Sequence, residues 1–183
     1  FIRQILPVTK KALLLFDVDL TSSVIRNEVF HGKTSILVEG IQIDLQLCPT
    51  VADWKAAVTG ARAMNYQAIV VGLHQALKGV DNKVANADAM IRWTSANTPL
   101  PLFALWDFSV GPDMAVGGLV MGGLEQGKAA AAMALDILEG HNTPSAMLPV
   151  TARQGDFLFS RKQLARFKLV LPPDIARQAR LID

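Results

Sequence analysis

Residues 12–21 read Ala12-Leu13-Leu14-Leu15-Phe16-Asp17-Val18-Asp19-Leu20-Thr21. Five successive apolar residues closed by an aspartate give the pattern of a strand buried on both faces, as in a parallel sheet. Thr21, Ser22 and Ser23 come next as good helix N-caps, and a short helix through Val29 can stop at Gly32. A strand that runs straight into a helix start is the repeating unit of α/β architecture.

The same alternation continues outward from this stretch. Ile41, Ile43, Leu45 and Leu47 alternate with Gln42, Asp44 and Gln46, which predicts a strand with one face buried. Pro49 ends it. Thr50 with Asp53 then resembles a capping box in which Asp stands for the usual Glu or Gln. Val51, Trp54, Val58, Ala61 and Met64 recur at helical spacing. Residues 68–73 form another short apolar strand, β-branched at its centre, and the polar stretch 75–86 carries Gly79 and Asp81-Asn82 as turn formers. Residues 87–96 read as a helix that stops before Thr98-Pro99. Residues 102–106 are a further strand, 116–121 a glycine-studded strand or turn, and 127–138 a helix rich in alanine and closed by Gly140. Residues 147–150 and 157–159 read as short strands, and 162–167 and 174–182 as small helices. The sum is an α/β fold, a three-layer parallel sheet of the Rossmann or flavodoxin type covered on both faces.

Composition narrows the function classes. The chain has 183 residues, a net charge of +2, 51% hydrophobic and 19% charged residues, and one cysteine. That balance excludes intrinsic disorder. No apolar run approaches the roughly 20 residues needed to span a bilayer. The near-neutral charge gives no general reason to expect nucleic acid, although the last third is locally basic. Cys48 alone excludes an internal disulfide and any zinc site built from several thiolates. The chain opens at Phe1 with neither an initiator methionine nor a signal peptide, which reads as part of a longer polypeptide.

Four groups of residues bear on chemistry. The apolar strand entering Asp17-x-Asp19-x-Thr21 looks like the first motif of the haloacid-dehalogenase phosphatases. Carried over, Asp17 would be the nucleophile and Asp19 the acid/base, both near a magnesium ion. That family also needs a lysine after a later strand and an acidic pair at a strand tip. Here the later strand ends are His74 and Asp107, the pair is absent, and Leu20 stands where glycine is usual. The glycines 111, 117, 118, 122, 123 and 127 fit neither Gly-x-Gly-x-x-Gly nor a Walker loop, and read as turns and close backbone approach. His31 and His141 sit beside Gly32 and Gly140 at helix ends. His74, by contrast, comes after a parallel strand at the carboxyl edge where open α/β sheets bind ligands. Trp106-Asp107-Phe108-Ser109 comes after the next strand at that edge, where an aromatic wall and a polar anchor suit a small molecule.

A resemblance covers nearly the whole chain. It rests on 12–17 with its Ser/Thr-rich turn, Gln67-Ala68-Ile69-Val70-Val71-Gly72 and Ile91-Arg92-Trp93-Thr94. It rests also on Pro101-Leu102-Phe103-Ala104-Leu105-Trp106-Asp107-Phe108-Ser109-Val110-Gly111, Gly117-Gly118-Leu119-Val120, Glu125-Gln126-Gly127, the helix 128–139, and Leu164-Ala165-Arg166-Phe167 through Leu171-Pro172. In that order these stretches resemble the later part of type I periplasmic, ABC-transporter substrate-binding proteins, closest to those used as extracytoplasmic sensor domains.

The resemblance implies a non-enzymatic lobe that binds a small, amino-acid-like ligand, with neither cofactor nor metal. Its partner would be a membrane permease or a linked signalling domain, in the periplasm or otherwise outside the cytoplasmic membrane, with a membrane anchor in the parent protein as a further expectation. Residues 1–183 would form the second of two lobes, with 122–183 holding a crossover helix and late segments, and the first lobe largely missing. Ligand contacts would come from Asp17, Ser22, His74, Trp106, Asp107, Phe108 and Gln126. The helix 128–139 would lack its usual cover over Met133, Leu135 and Leu138, so self-association through it is expected.

Overall fold

The computed structural model describes residues 1–150 and 155–183. Eight strands form one sheet in the order β2-β3-β1-β4-β5-β6-β7-β8. They are β1 (Lys11–Phe16), β2 (Ser35–Val38), β3 (Ile41–Leu47), β4 (Ala68–Val71), β5 (Leu102–Ala104), β6 (Gly117–Val120), β7 (Asp156–Ser160) and β8 (Arg180–Ile182). Among the described residues seven α-helices accompany them: α1 (Ile2–Ile5), α2 (Leu20–Glu28), α3 (Val51–Gly60), α4 (Ala87–Asn97), α5 (Gly123–Leu138), α6 (Arg161–Arg166) and α7 (Pro173–Ala176).

Five central strands, β3-β1-β4-β5-β6, run parallel. The edges depart from the all-parallel expectation: β2 returns antiparallel on β3, and β7 antiparallel on β6 with β8 parallel to β7. In the parallel core the chain steps one way from β1 to β3 and the other way to β4. The switch point of a doubly wound sheet therefore lies between β1 and β4.

The two faces bury separate cores. Leu13, Leu15, Ile69, Val71 and Leu102 meet Trp54 and Val58 of α3 and Met90 and Ile91 of α4. On the other face, Ala12, Ala68, Val70, Phe103 and Phe159 pack with Ile5 of α1 and Ile175 of α7. Phe30, just beyond α2, closes over Phe16 and Leu45. The Thr50 N-cap forms, its Oγ1 accepting the Asp53 amide at 3.1 Å, but the second bond of a capping box is replaced: the Asp53 carboxylate accepts the Thr50 hydroxyl, at 2.5 Å, rather than its amide. Glycines 117 and 118 answer to close approach. A Cβ on Gly117, at φ +143°, would lie 2.1 Å from the Leu158 carbonyl oxygen, and one on Gly118 2.4 Å from that of Ala104. Only glycine lets β6 fit between β5 and β7 at this spacing.

Some expected elements are corrected. Residues 174–182 are not one helix: α7 ends at Ala176, and Arg180–Ile182 pair with β7 as β8. Residues 147–150 form no strand, consistent with Pro149, which has no amide hydrogen to give a ladder. Strand β2 is an addition to the expected elements. The cap of α2 is Asp19 rather than Thr21, Ser22 or Ser23, which fall inside the helix.

Helix α5 stands apart. It has 16 residues and none is buried. Leu124, Leu135 and Leu138 are 72%, 56% and 81% exposed. Among the described residues no helix is long and apolar enough to cross a membrane.

Candidate ligand site

Parallel strands end on one edge, so the residues after β1, β3, β4, β5 and β6 are brought together whatever their separation in sequence. The edge is knit by main-chain bonds: the Asp17 amide donates to the Leu73 carbonyl at 2.8 Å, Cys48 to Phe16 at 2.8 Å, Leu105 to Val71 at 3.1 Å and Met121 to Leu105 at 2.9 Å. Asp17, His74, Trp106 and Asp107 therefore share this edge, as their places after apolar strands predict.

At the switch point itself the crevice is closed. Asp17 is 1% exposed, and Ser22 is fully buried. The Asp17 carboxylate accepts the Asp19 amide at 3.1 Å, the Ser22 hydroxyl at 2.9 Å and the Ala76 amide at 2.9 Å. A buried carboxylate needs such donors to offset lost hydration. Asp17 and Ser22 thus tie the β1 tip to the loop after β4 and form the floor of the edge, with no free oxygen turned outward. That arrangement does not fit a phosphatase nucleophile, which must reach phosphorus with an open oxygen beside a metal ion. Nor, among the described residues, is any group of three or more His, Cys, Asp or Glu side chains placed to hold a metal.

Over β4, β5 and β6 four aromatic rings succeed one another, the first two inside the core: Trp54 is 0% and His74 2% exposed. Trp54, from the first turn of α3, stands 6.1 Å from His74, His74 stands 6.4 Å from Phe108, and Phe108 stacks on Trp106 at 6.1 Å and 10°. Trp54 is anchored by its own donor, Nε1 to the Thr94 hydroxyl at 2.8 Å. Phe108 is half exposed, at 51%, and Trp106 is half-buried. Three polar atoms near this ladder are buried with no hydrogen-bond partner among the described residues: His74 Nδ1, Trp106 Nε1 and Ser109 Oγ. Each such atom costs about 1–3 kcal/mol in a folded protein. Burial lowers the His74 pKa, against smaller opposing effects of the Gly72 and Ala87 carbonyls and the Asp17 and Asp88 charges, so the ring favours its neutral form.

Asp107 and Gln126 sit at the rim. One Asp107 oxygen accepts the Phe108 amide at 2.8 Å, and the other lies beside Gly122 at the start of α5. A carboxylate there complements the positive end of the helix dipole. Gln126, one turn into α5, is exposed. Of the seven expected contacts, His74, Trp106, Asp107 and Phe108 are grouped around the ladder, Gln126 lies at the α5 side, and Asp17 and Ser22 lie beneath. Trp54 reads in the sequence only as an apolar position of a helix. Its place in the first turn after a strand tip is the signal that puts its ring at the edge. Ser109 reads as a loop serine, and nothing in its neighbours marks the buried hydroxyl.

With this geometry in view, comparison with solved structures places the fold. A domain from Streptococcus pneumonia crystallised with L-Trp, described as an ABC domain, aligns over all of this chain and 58% of its own length, at 15% identity and TM-score 0.65. A conserved domain protein from Vibrio cholerae aligns over all of this chain and 57% of its own, at 18% identity and TM-score 0.65. The ligand-free, open structure of a substrate-binding protein with adhesive properties from Clostridium difficile gives 15% identity, 57% coverage and TM-score 0.64. The chain thus has a periplasmic-binding-protein-like fold and spans under three-fifths of the length of these structures. No protein-family model matches the sequence, and no curated protein matches it.

Proposed function

We propose that this chain is a non-enzymatic binding lobe for a small amino-acid-like molecule, acting outside the cytoplasmic membrane for a permease or a linked signalling domain. The observation that supports the reading is the stacked pair of Trp106, half-buried, and Phe108, half exposed, beside Asp107 at the carboxyl edge of the sheet. Trp106 and Phe108 offer a flat apolar surface to a side chain. Asp107 sits beside them, where an ammonium group would find a counter-charge. The Streptococcus structure with L-Trp supports an aromatic amino acid among the candidates.

In this reading residues 1–183 are the second of two lobes, and the first lobe supplies the opposite wall of the cleft. Closure of the two on a ligand would bias the downstream partner. Helix α5, with its apolar side chains uncovered, would meet that lobe or, without it, a second copy of the chain.

The test is thermal stability against a panel of amino acids. A ligand bound only by the folded chain stabilises it by RT ln(1 + [L]/Kd), about 2.7 kcal/mol at a hundredfold excess over Kd. At least one member should raise Tm, and no phosphate ester should be hydrolysed. Hydrolysis of p-nitrophenyl phosphate that Asp17→Asn abolishes would overturn the reading in favour of an enzyme.

A further inference from the structure

The opposite edge of the sheet holds a second feature. Pro112 and Asp113 lie just before β6, α4 ends there at Asn97, and α6 begins there because β7 runs antiparallel to β6. Between them opens a cavity of about 330 Å³, lined by Arg92, Ser95, Ala96, Asp113, Lys162, Gln163 and Arg166. Three cations therefore surround one carboxylate. Lys162 Nζ stands 2.7 Å from Asp113, and Arg92 Nη1 stands 3.8 Å from it.

Arg166 forms no ion pair among the described residues. Its Nη1 donates to the Ser95 carbonyl at 2.7 Å and more weakly to Gln163 Oε1 at 3.3 Å, while Nε and Nη2 make no hydrogen bond among those residues. The groups that hold it are fixed in turn. Gln163 is 3% exposed and donates to the Pro112 carbonyl at 2.5 Å; Ser95 is 2% exposed and donates to the Met114 carbonyl at 2.7 Å. The exposed guanidinium is thus held by the Ser95 main-chain carbonyl and the buried Gln163 side chain, lies over the Phe167 ring at 4.7 Å, and stands beside a cavity lined by three cations and one carboxylate.

We infer that this cavity binds a phosphate-type dianion. A dianion matches the net charge of the three cations and Asp113, and the planar fork of Arg166 suits paired oxygens of a phosphate. The cavity is larger than the bare ion, so a phosphomonoester and free phosphate are two sources of the same chemistry. The site is separate from the amino-acid site, since it occupies the other end of the strands, and it stands whether or not that reading does.

Titration of the full chain with inorganic phosphate and with glycerol 3-phosphate, followed by amide NMR, tests the inference against potassium chloride at matched ionic strength. Saturable shifts are expected at residues 92–96, 113–114 and 161–166. The ester should bind more tightly if it is the physiological source, and equally if free phosphate is. Arg166→Gln should weaken binding about tenfold or more, as expected for the loss of one charge-assisted bond. Arg92→Gln, at an exposed position on α4, should weaken it with Tm unchanged. Shifts that chloride reproduces, that arise elsewhere, or that persist unaltered in both variants would overturn the site.

Discussion

The Asp17 carboxylate accepts the amide hydrogen of Ala76, 59 residues further along the chain, at 2.9 Å. This bond, with those from Ser22 and the Asp19 amide, locks the β1 tip to the loop after β4 at the switch point of the sheet. Asp17→Ala would leave three donors without their acceptor in a buried place. It should lower stability by about 3 kcal/mol or more. Urea unfolding checks this: the midpoint should fall while the slope stays constant. A wild-type midpoint would mean that the carboxylate is free for other work.

The lowered pKa of His74 has a pH consequence with a definite sign. A histidine held neutral by burial binds its proton less readily folded than unfolded. Between its folded value and the ordinary 6.5, the unfolded chain therefore carries more protons. Stability from this group is complete above pH 6.5 and falls as pH drops below it. His74→Gln should flatten that part of the stability-versus-pH curve measured by chemical denaturation.

Asp44 behaves differently. Burial pushes its pKa up, but hydrogen bonds from Ser35, Gln42, Tyr66 and Lys11 outweigh this and hold it at about 2, against 3.8 ordinarily. Its ionised form stabilises the fold above pH 3.8, and that contribution is lost as the pH falls toward 2. Tyr66→Phe removes the phenol that donates to Asp44 at 2.8 Å and should cost about 1 kcal/mol near neutrality, with a shallower acid transition.

Helix α5 supplies a surface prediction. Leu135 and Leu138 are exposed, so Leu135→Glu with Leu138→Glu should change the stability of the chain by no more than about 0.5 kcal/mol. The same pair should abolish self-association. Light scattering across concentrations reads this directly. A wild-type chain that stays monomeric at every concentration would contradict it.

Much of this was legible in the sequence because the informative signals are local. Ala12–Phe16 and Ala68–Val71 are short apolar runs, and the residues just after each had to lie at the carboxyl edge; this placed His74 and, by the same logic, Trp106 and Phe108. Gly140 at φ +77° closes α5 as its position after the alanine run predicts. Strand β2 escaped because Ile36, Leu37 and Val38 form too short a run, although Glu39 and Gly40, both at positive φ, make the tight turn that joins β2 to β3. Strand β8 escaped because Pro172-Pro173-Asp174 starts a helix, and only pairing with β7 pulls Arg180–Ile182 out of it. The bond from Asp17 to Ala76 has no local signature at all. Pairings at that separation are decided by the fold, and they turn an apparent catalytic motif into a structural tie.

The central claim is that the stacked rings of Phe108 and Trp106, beside Asp107, receive a small amino-acid-like ligand. Isothermal titration of the amino-acid panel, L-tryptophan included, into the wild-type chain and Phe108→Ala tests it most directly. The Phe108 ring is half exposed and stacks on Trp106, so its removal should lower stability by only about 1 kcal/mol and leave the chain folded. Burying that ring against a ligand is worth about 1.5–3 kcal/mol, so Kd should rise at least about tenfold. Saturable one-to-one binding that weakens in this way is the predicted result. No heat with any member of the panel, or an affinity that Phe108→Ala leaves untouched, would contradict it.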